Sequence, residues 1–171
     1  MTLRASVLRA GYVSALALSA CDSGETWDQS NLDVITTHQG FVRIDAHAFV
    51  TAIAPATADV DVYVDPLGAA TYRLIDPGRT GSNAEIPIGT QIVRAVLDGN
   101  GAVAKLTMMA KGPPGTNPAL GDWWFAETDP FGTPLLGDDG APIMGAVGAC
   151  ATCHVDRATD DYLFGVAAAD R

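Results

Sequence analysis

Cys150-Ala151-Thr152-Cys153-His154, CATCH in one-letter code, is the stretch on which the reading of this chain turns. Two cysteines spaced C-x-x-C with a histidine adjoining them suit haem attachment, half of a zinc site or a redox thiol pair. In a chain of 171 residues only 17 follow His154. A haem held here has to draw most of its pocket from upstream.

A c-type haem needs two thiols that reach two vinyl groups on one edge of the porphyrin, and an imidazole that swings under the iron. C-x-x-C-H supplies all of these within one turn: Cys150 and Cys153 for the thioethers, His154 for the proximal ligand. Zinc asks for four ligands. After Cys150, Cys153 and His154 there remain only His38, His47 and carboxylates, with no second C-x-x-C and no H-x-x-x-H. A thioredoxin-like thiol pair wants its C-x-x-C at a helix start within a βαβ unit, and that pattern is missing. A structural disulfide would leave the adjacent histidine a coincidence. One covalent haem c is the expected cofactor.

Residues 1–21, MTLRASVLRAGYVSALALSAC, carry Arg4 and Arg9 and then an apolar run too short to span a membrane. They read as a leader directing export, which suits haem c because that group is attached outside the cytoplasm. Leu18-Ser19-Ala20-Cys21 resembles a bacterial lipoprotein signal. The resemblance implies cleavage after residue 20, lipidation of Cys21 and a tethered protein on the periplasmic side of the cell envelope. Residues 21–31 then read as a polar tether, and residues 32–171 as a single haem-binding domain.

Charge narrows the partners. The chain has 20 acidic and 10 basic side chains, and loss of Arg4 and Arg9 with the leader leaves 8 basic ones, a net charge near −12. Nucleic acid demands the opposite sign, and so does peripheral binding to anionic lipid. Membrane contact is expected only through the lipid anchor. A basic redox partner protein suits such a surface, although most acidic surfaces simply solubilise.

The body reads as short strands broken by turn residues. Asp59–Asp65 alternates strictly, with Val60, Val62 and Val64 on one face. A short helix is expected over 67–75, stopped by Asp76-Pro77-Gly78. Gln91–Leu97 is a β-branched run, Asp98-Gly99-Asn100-Gly101 is a turn, and Ala102–Lys111 is the returning strand. Residues 122–127 form another strand, and 146–154 one or two helical turns. The fold class is mainly β (α+β), an antiparallel sheet with a few short packing helices.

Nothing after His154 is Met, His or Lys. A sixth iron ligand must therefore come from His38, His47, Met108, Met109, Met144, Lys105 or Lys111. Met108 alternates with Leu106 and Ala110 and reads as core. An iron open on its distal side is the alternative, and such an iron binds small molecules.

In order and spacing, several segments resemble the cytochrome P-460 / cytochrome c′-beta family. They are Val62-Tyr63-Val64-Asp65-Pro66, Ile86–Val93, the strand ending at Lys111, Gly121-Asp122-Trp123-Trp124-Phe125, and CATCH followed by Asp160–Phe164. The resemblance spans roughly Val60 to Phe164. It implies an antiparallel sheet, a five-coordinate haem c and a homodimer. Hydroxylamine-oxidising members of that family cross-link a lysine to the haem and keep a distal carboxylate as a proton relay. Matching from Gly89-Thr90 puts that lysine at Arg94, and matching back from Lys111 puts the carboxylate near Thr107. Arginine is a poor nucleophile because it stays protonated, and threonine cannot carry a proton as a carboxylate does. Lys105, Thr107 and Met109 share one strand face. Trp124 looks to one side of its strand, Trp123 and Phe125 to the other. Arg94, Thr107, Met109 and Trp124 are the expected pocket residues. The expected function is binding of a small ligand such as nitric oxide or a related nitrogen oxide, with or without redox chemistry. The alternatives are hydroxylamine oxidation and electron transfer with a methionine on the distal side.

Overall fold

The computed structural model describes residues 23–50 and 58–171. The leader and Cys21 lie outside the described residues. Seven strands form one sheet: β1 (Val42–Arg43), β2 (Phe49–Val50), β3 (Asp59–Val64), β4 (Gln91–Leu97), β5 (Val103–Lys111), β6 (Trp123–Thr128) and β7 (Met144–Gly145). Their spatial order is β1-β3-β4-β5-β6-β7, with β2 also pairing β3, and every neighbouring pair is antiparallel. Three α-helices accompany them: α1 (Ser23–Ile35), α2 (Ala69–Tyr72) and α3 (Gly148–His154). The mainly β, antiparallel class expected from the pattern is the one observed. Among the described residues no helix is long and apolar enough to cross a membrane.

The alternation within each strand decides what the sheet covers. In β4, Ile92 and Val96 are buried on one face while Val93 and Ala95 are buried on the other. Both faces of this central strand are therefore covered, which is why it reads as an unbroken β-branched run rather than an alternating one. The first face builds a core with Val60, Val62 and Val64 of β3, Trp123 and Phe125 of β6, and Leu163 and Val166 beyond α3. The second face gathers Leu106, Met108 and Ala110 of β5 with Trp124, Ala126 and Ile35.

The β4–β5 turn forms as its residues require. The Asp98 carboxylate accepts hydrogen bonds from the Asn100 and Ala102 amides at 2.8 and 2.9 Å, and Gly101 sits at φ +81°. The short helix expected over 67–75 is a single turn, α2.

Helix α1 begins at Ser23, within the stretch expected as a tether, and runs into the domain expected from residue 32. Ile35 is fully buried in the second core, Leu32 packs against that core, and Asn31 accepts a hydrogen bond from the Gln91 side chain at 2.9 Å. Trp124, expected as a pocket residue, packs its side chain in the second core, on the face of the sheet away from Cys150.

The segment after α3 is pinned by a buried arginine. The Arg157 guanidinium donates to the carbonyls of Leu163, Asp76 and Arg79 at 3.1, 3.1 and 2.9 Å and lies 3.3 Å from the Asp160 carboxylate. Asp161 and Tyr162 then adopt left-handed backbone, φ +52° and +63°. Two consecutive residues other than glycine in that region cost energy that the surrounding bonds must offset.

Candidate functional site

Strands β4, β5 and β6, α3 and the loop before β7 line an open cavity of about 900 Å³. That volume suits a large cofactor. Cys150, Cys153 and His154 form one part of its lining. Val147, at the start of α3, is extended, and from Gly148 on the backbone is helical, so all three side chains leave a single short helix.

The imidazole of His154 is held from outside the cavity. Its Nδ1 lies 2.6 Å from the Tyr162 carbonyl oxygen. A carbonyl only accepts, so Nδ1 carries the proton and Nε2 keeps its lone pair. Burial lowers the pKa of the ring, against the opposing pull of the Tyr162 bond, and the Arg94 charge lowers it further. Phe125 and Phe164 flank the ring edge-on, each 5.3 Å between centroids. A neutral, oriented, apolar-flanked imidazole with a free Nε2 is the form that ligates a metal.

The geometry of Tyr162 depends on Asp161. The Asp161 carboxylate pairs with Lys111 at 2.5 Å and accepts from the Ile86 amide at 2.8 Å, while its carbonyl accepts from the Trp123 indole at 2.8 Å. The Lys111 ammonium lies 5.0 Å from the centre of the Trp123 ring. This network fixes the left-handed pair and so aims the Tyr162 carbonyl at His154. Lys111 is thereby occupied away from the cavity.

Both thiols of the motif are free, Cys150 half-buried and Cys153 exposed. Burial pushes the Cys150 thiol up to about 11, with Glu127 adding to the rise. A redox pair needs the reverse, a depressed thiol. Among the described residues no group of three or more His, Cys, Asp and Glu side chains is gathered for a metal ion. His38 is buried across the sheet, its Nδ1 2.7 Å from the Ile35 carbonyl and its ring against Tyr63.

The opposite wall is a strip of the sheet. Ile92, Met109 and Phe125 stand in one row across β4, β5 and β6, and Arg94, Thr107 and Glu127 stand in the next. All six line the cavity. Arg94, Thr107 and Met109 thus line one cavity with Cys150, Cys153 and His154, and Trp124 does not. The Trp123 and Phe125 set faces this side, with Phe125 on the cavity and Trp123 behind it. β5 borders the cavity, but the Met108 side chain is buried in the second core.

Glu127 and Tyr72 also line the cavity and were not expected as pocket residues, and Met144, a candidate sixth ligand, lines it too. Glu127 was within reach of the sequence, since it lies two residues beyond Phe125 and must share its face. Its carboxylate pairs with Lys105 at 2.7 Å. Tyr72 comes from α2, whose placement against β4 no local pattern reveals. Burial pushes its hydroxyl up to about 12, so it stays protonated. The loop 135–143 borders the cavity, tied by the Leu135 amide to the Glu127 carbonyl and the Glu127 amide to the Ile143 carbonyl at 2.8 and 3.0 Å.

The residues present fit a haem c. Two thiols and an imidazole emerge from one helix at the edge of a cavity with a mixed apolar and polar lining, and Nδ1 of that imidazole is already satisfied. No protein-family model and no curated protein matches this chain.

Proposed function

We propose that this chain is an exported mono-haem c-type cytochrome that binds a small ligand such as nitric oxide at a haem held by Cys150, Cys153 and His154. The observation that carries the reading is the His154 imidazole, set in the cavity wall with its Nδ1 donated to the Tyr162 carbonyl at 2.6 Å. Bound haem supplies an open coordination position and one-electron chemistry. Cys150 and Cys153 would fix its edge, and Phe125 and Phe164 would hold the imidazole plane. Met109, Ile92 and Val147 would lay apolar surface against the haem. Of the candidate sixth ligands, Met108 and His38 are buried in or against the far core, and Lys111 and Lys105 are engaged by Asp161 and Glu127. Lipidation of Cys21 would anchor the protein on the periplasmic side of the envelope, where a basic redox partner meets its acidic surface. A homodimer belongs to the same reading.

Two specific observations keep second readings alive. Glu127 puts a carboxylate beside Thr107, which favours hydroxylamine oxidation, whereas Arg94 disfavours the lysine-type cross-link of that chemistry. Met109 and Met144 line the cavity, which favours a methionine-ligated electron carrier. Optical spectra of the oxidised, reduced and reduced-plus-CO protein, with intact mass, separate them. A high-spin reduced spectrum that changes with CO, with two thioether bonds and no third link, is the expected result. A low-spin spectrum indifferent to CO would remove the ligand-binding reading.

A further inference from the structure

Arg94 is a half-buried cation that makes no salt bridge among the described residues. It lies on the central strand β4, between Val62 of β3 and Thr107 of β5 in register, on the face that lines the cavity. Its Nε is buried and has no hydrogen-bond partner among the described residues. The carboxylate on its own row, Glu127, is held by Lys105 at 2.7 Å. Tyr72, only 6% exposed, brings a hydroxyl to the same cavity but no charge. Burial lowers the guanidinium pKa, with the fields of Tyr72 and Glu127 opposing; arginine nevertheless keeps its proton at neutral pH. Leaving the buried Nε of a guanidinium unbonded in such a place is costly, and an apolar residue of similar size would be cheaper. The cavity has room for an anion beside it.

We propose that Arg94, with the Thr107 and Tyr72 hydroxyls beside it, forms an anion subsite of the cavity that takes a carboxylate or a small oxyanion on the guanidinium fork. A planar pair of oxygens matches that fork in two parallel hydrogen bonds. Two sources carry this chemistry: a free anion such as nitrite, and a propionate of the haem itself. The second source rests on the haem reading above; the first does not. Lys105 has a supporting part, since by pairing with Glu127 it removes a carboxylate that would otherwise repel the anion.

The test uses the protein as purified, with Arg94→Gln and Arg94→Lys variants, and sodium nitrite as the probe. Nitrite affinity is read by calorimetry, and the haem midpoint potential is read across pH. Arg94→Gln should weaken nitrite by about tenfold or more, as loss of a charge-assisted bidentate contact implies, with Arg94→Lys in between. If a propionate is the occupant, nitrite affinity stays level, and the propionate ionisation seen in the potential–pH curve rises by about one pH unit in Arg94→Gln. Removing a guanidinium whose buried Nε is unbonded should not lower the melting temperature, so a folded variant is expected. Unchanged nitrite affinity together with an unchanged potential–pH curve overturns the subsite. Protein purified without haem overturns the haem reading alone. In that protein Arg94-dependent nitrite binding upholds the subsite, and absence of nitrite binding overturns it.

Discussion

Asp161 is the residue on which the orientation of His154 depends, although it touches nothing in the cavity. Its carboxylate is largely buried and is satisfied by Lys111 and the Ile86 amide, while its carbonyl takes the Trp123 indole. Lys111→Met leaves that carboxylate without its ammonium. The expected cost is about 1–3 kcal/mol, the penalty for an under-satisfied buried polar group, measured by urea unfolding. Since the Tyr162 carbonyl follows Asp161, the haem-loaded variant should also show a shifted Soret band or potential. A stability loss with an unmoved spectrum and potential would detach Asp161 from His154. Lys111 was read from the sequence as a candidate iron ligand. Nothing local shows that a residue 50 positions away in the chain holds its ammonium, because the two meet only when the segment after α3 folds back on β5.

Strands β4, β5 and β6 carry the cavity wall, and alternation is what sorts their side chains. Phe125 and Trp124 are neighbours in sequence and lie on opposite faces of β6. Phe125→Ala should cost about 3–5 kcal/mol and disturb the haem spectrum, because the ring flanks His154. Trp124→Phe should lower the melting temperature and leave the spectrum alone. Equal spectral effects would put Trp124 back in the pocket. The period-two pattern told that these two residues part company, but it could not tell which face meets the cavity. That choice is made by α1, which brings Ile35 to the Trp124 side. Ile35→Ala should therefore cost about 2–5 kcal/mol in equilibrium unfolding, where a residue outside the core would cost little. The β4–β5 turn offers a pH test. Bonds from the Ala102 and Asn100 amides hold the Asp98 carboxyl below its ordinary value of 3.8. A depressed folded pKa stabilises above the unfolded value and is lost as pH falls through the folded one. Asp98→Asn should thus be less stable than the parent at neutral pH, with the gap closing below about pH 3.8. A gap that persists at lower pH would mean that the turn does not depend on the carboxylate charge.

For the whole molecule the ruling quantity is net charge, −10 over 171 residues. Such a field attracts cations and repels anions over about 10 Å at moderate salt. Reduction of the haem-loaded protein by a cationic mediator should slow as salt rises, and reduction by an anionic one should quicken. Salt-independent rates for both would place the electron entry point outside the acidic field. Composition settles this property without any structure, because charge counts do not depend on the fold. The sequence also determined where the strands run, the alternation within them, and the Asp98–Gly101 turn, since these follow from neighbours a few residues apart. It put Cys150, Cys153 and His154 within one turn for the same reason. Only the tertiary structure decided what they face: which side of the sheet holds the cavity, that Glu127 and Tyr72 join Arg94 there, and that the Tyr162 carbonyl holds His154. Each of those contacts closes a long loop, and its partner is chosen by how two cores pack on one sheet rather than by any local preference.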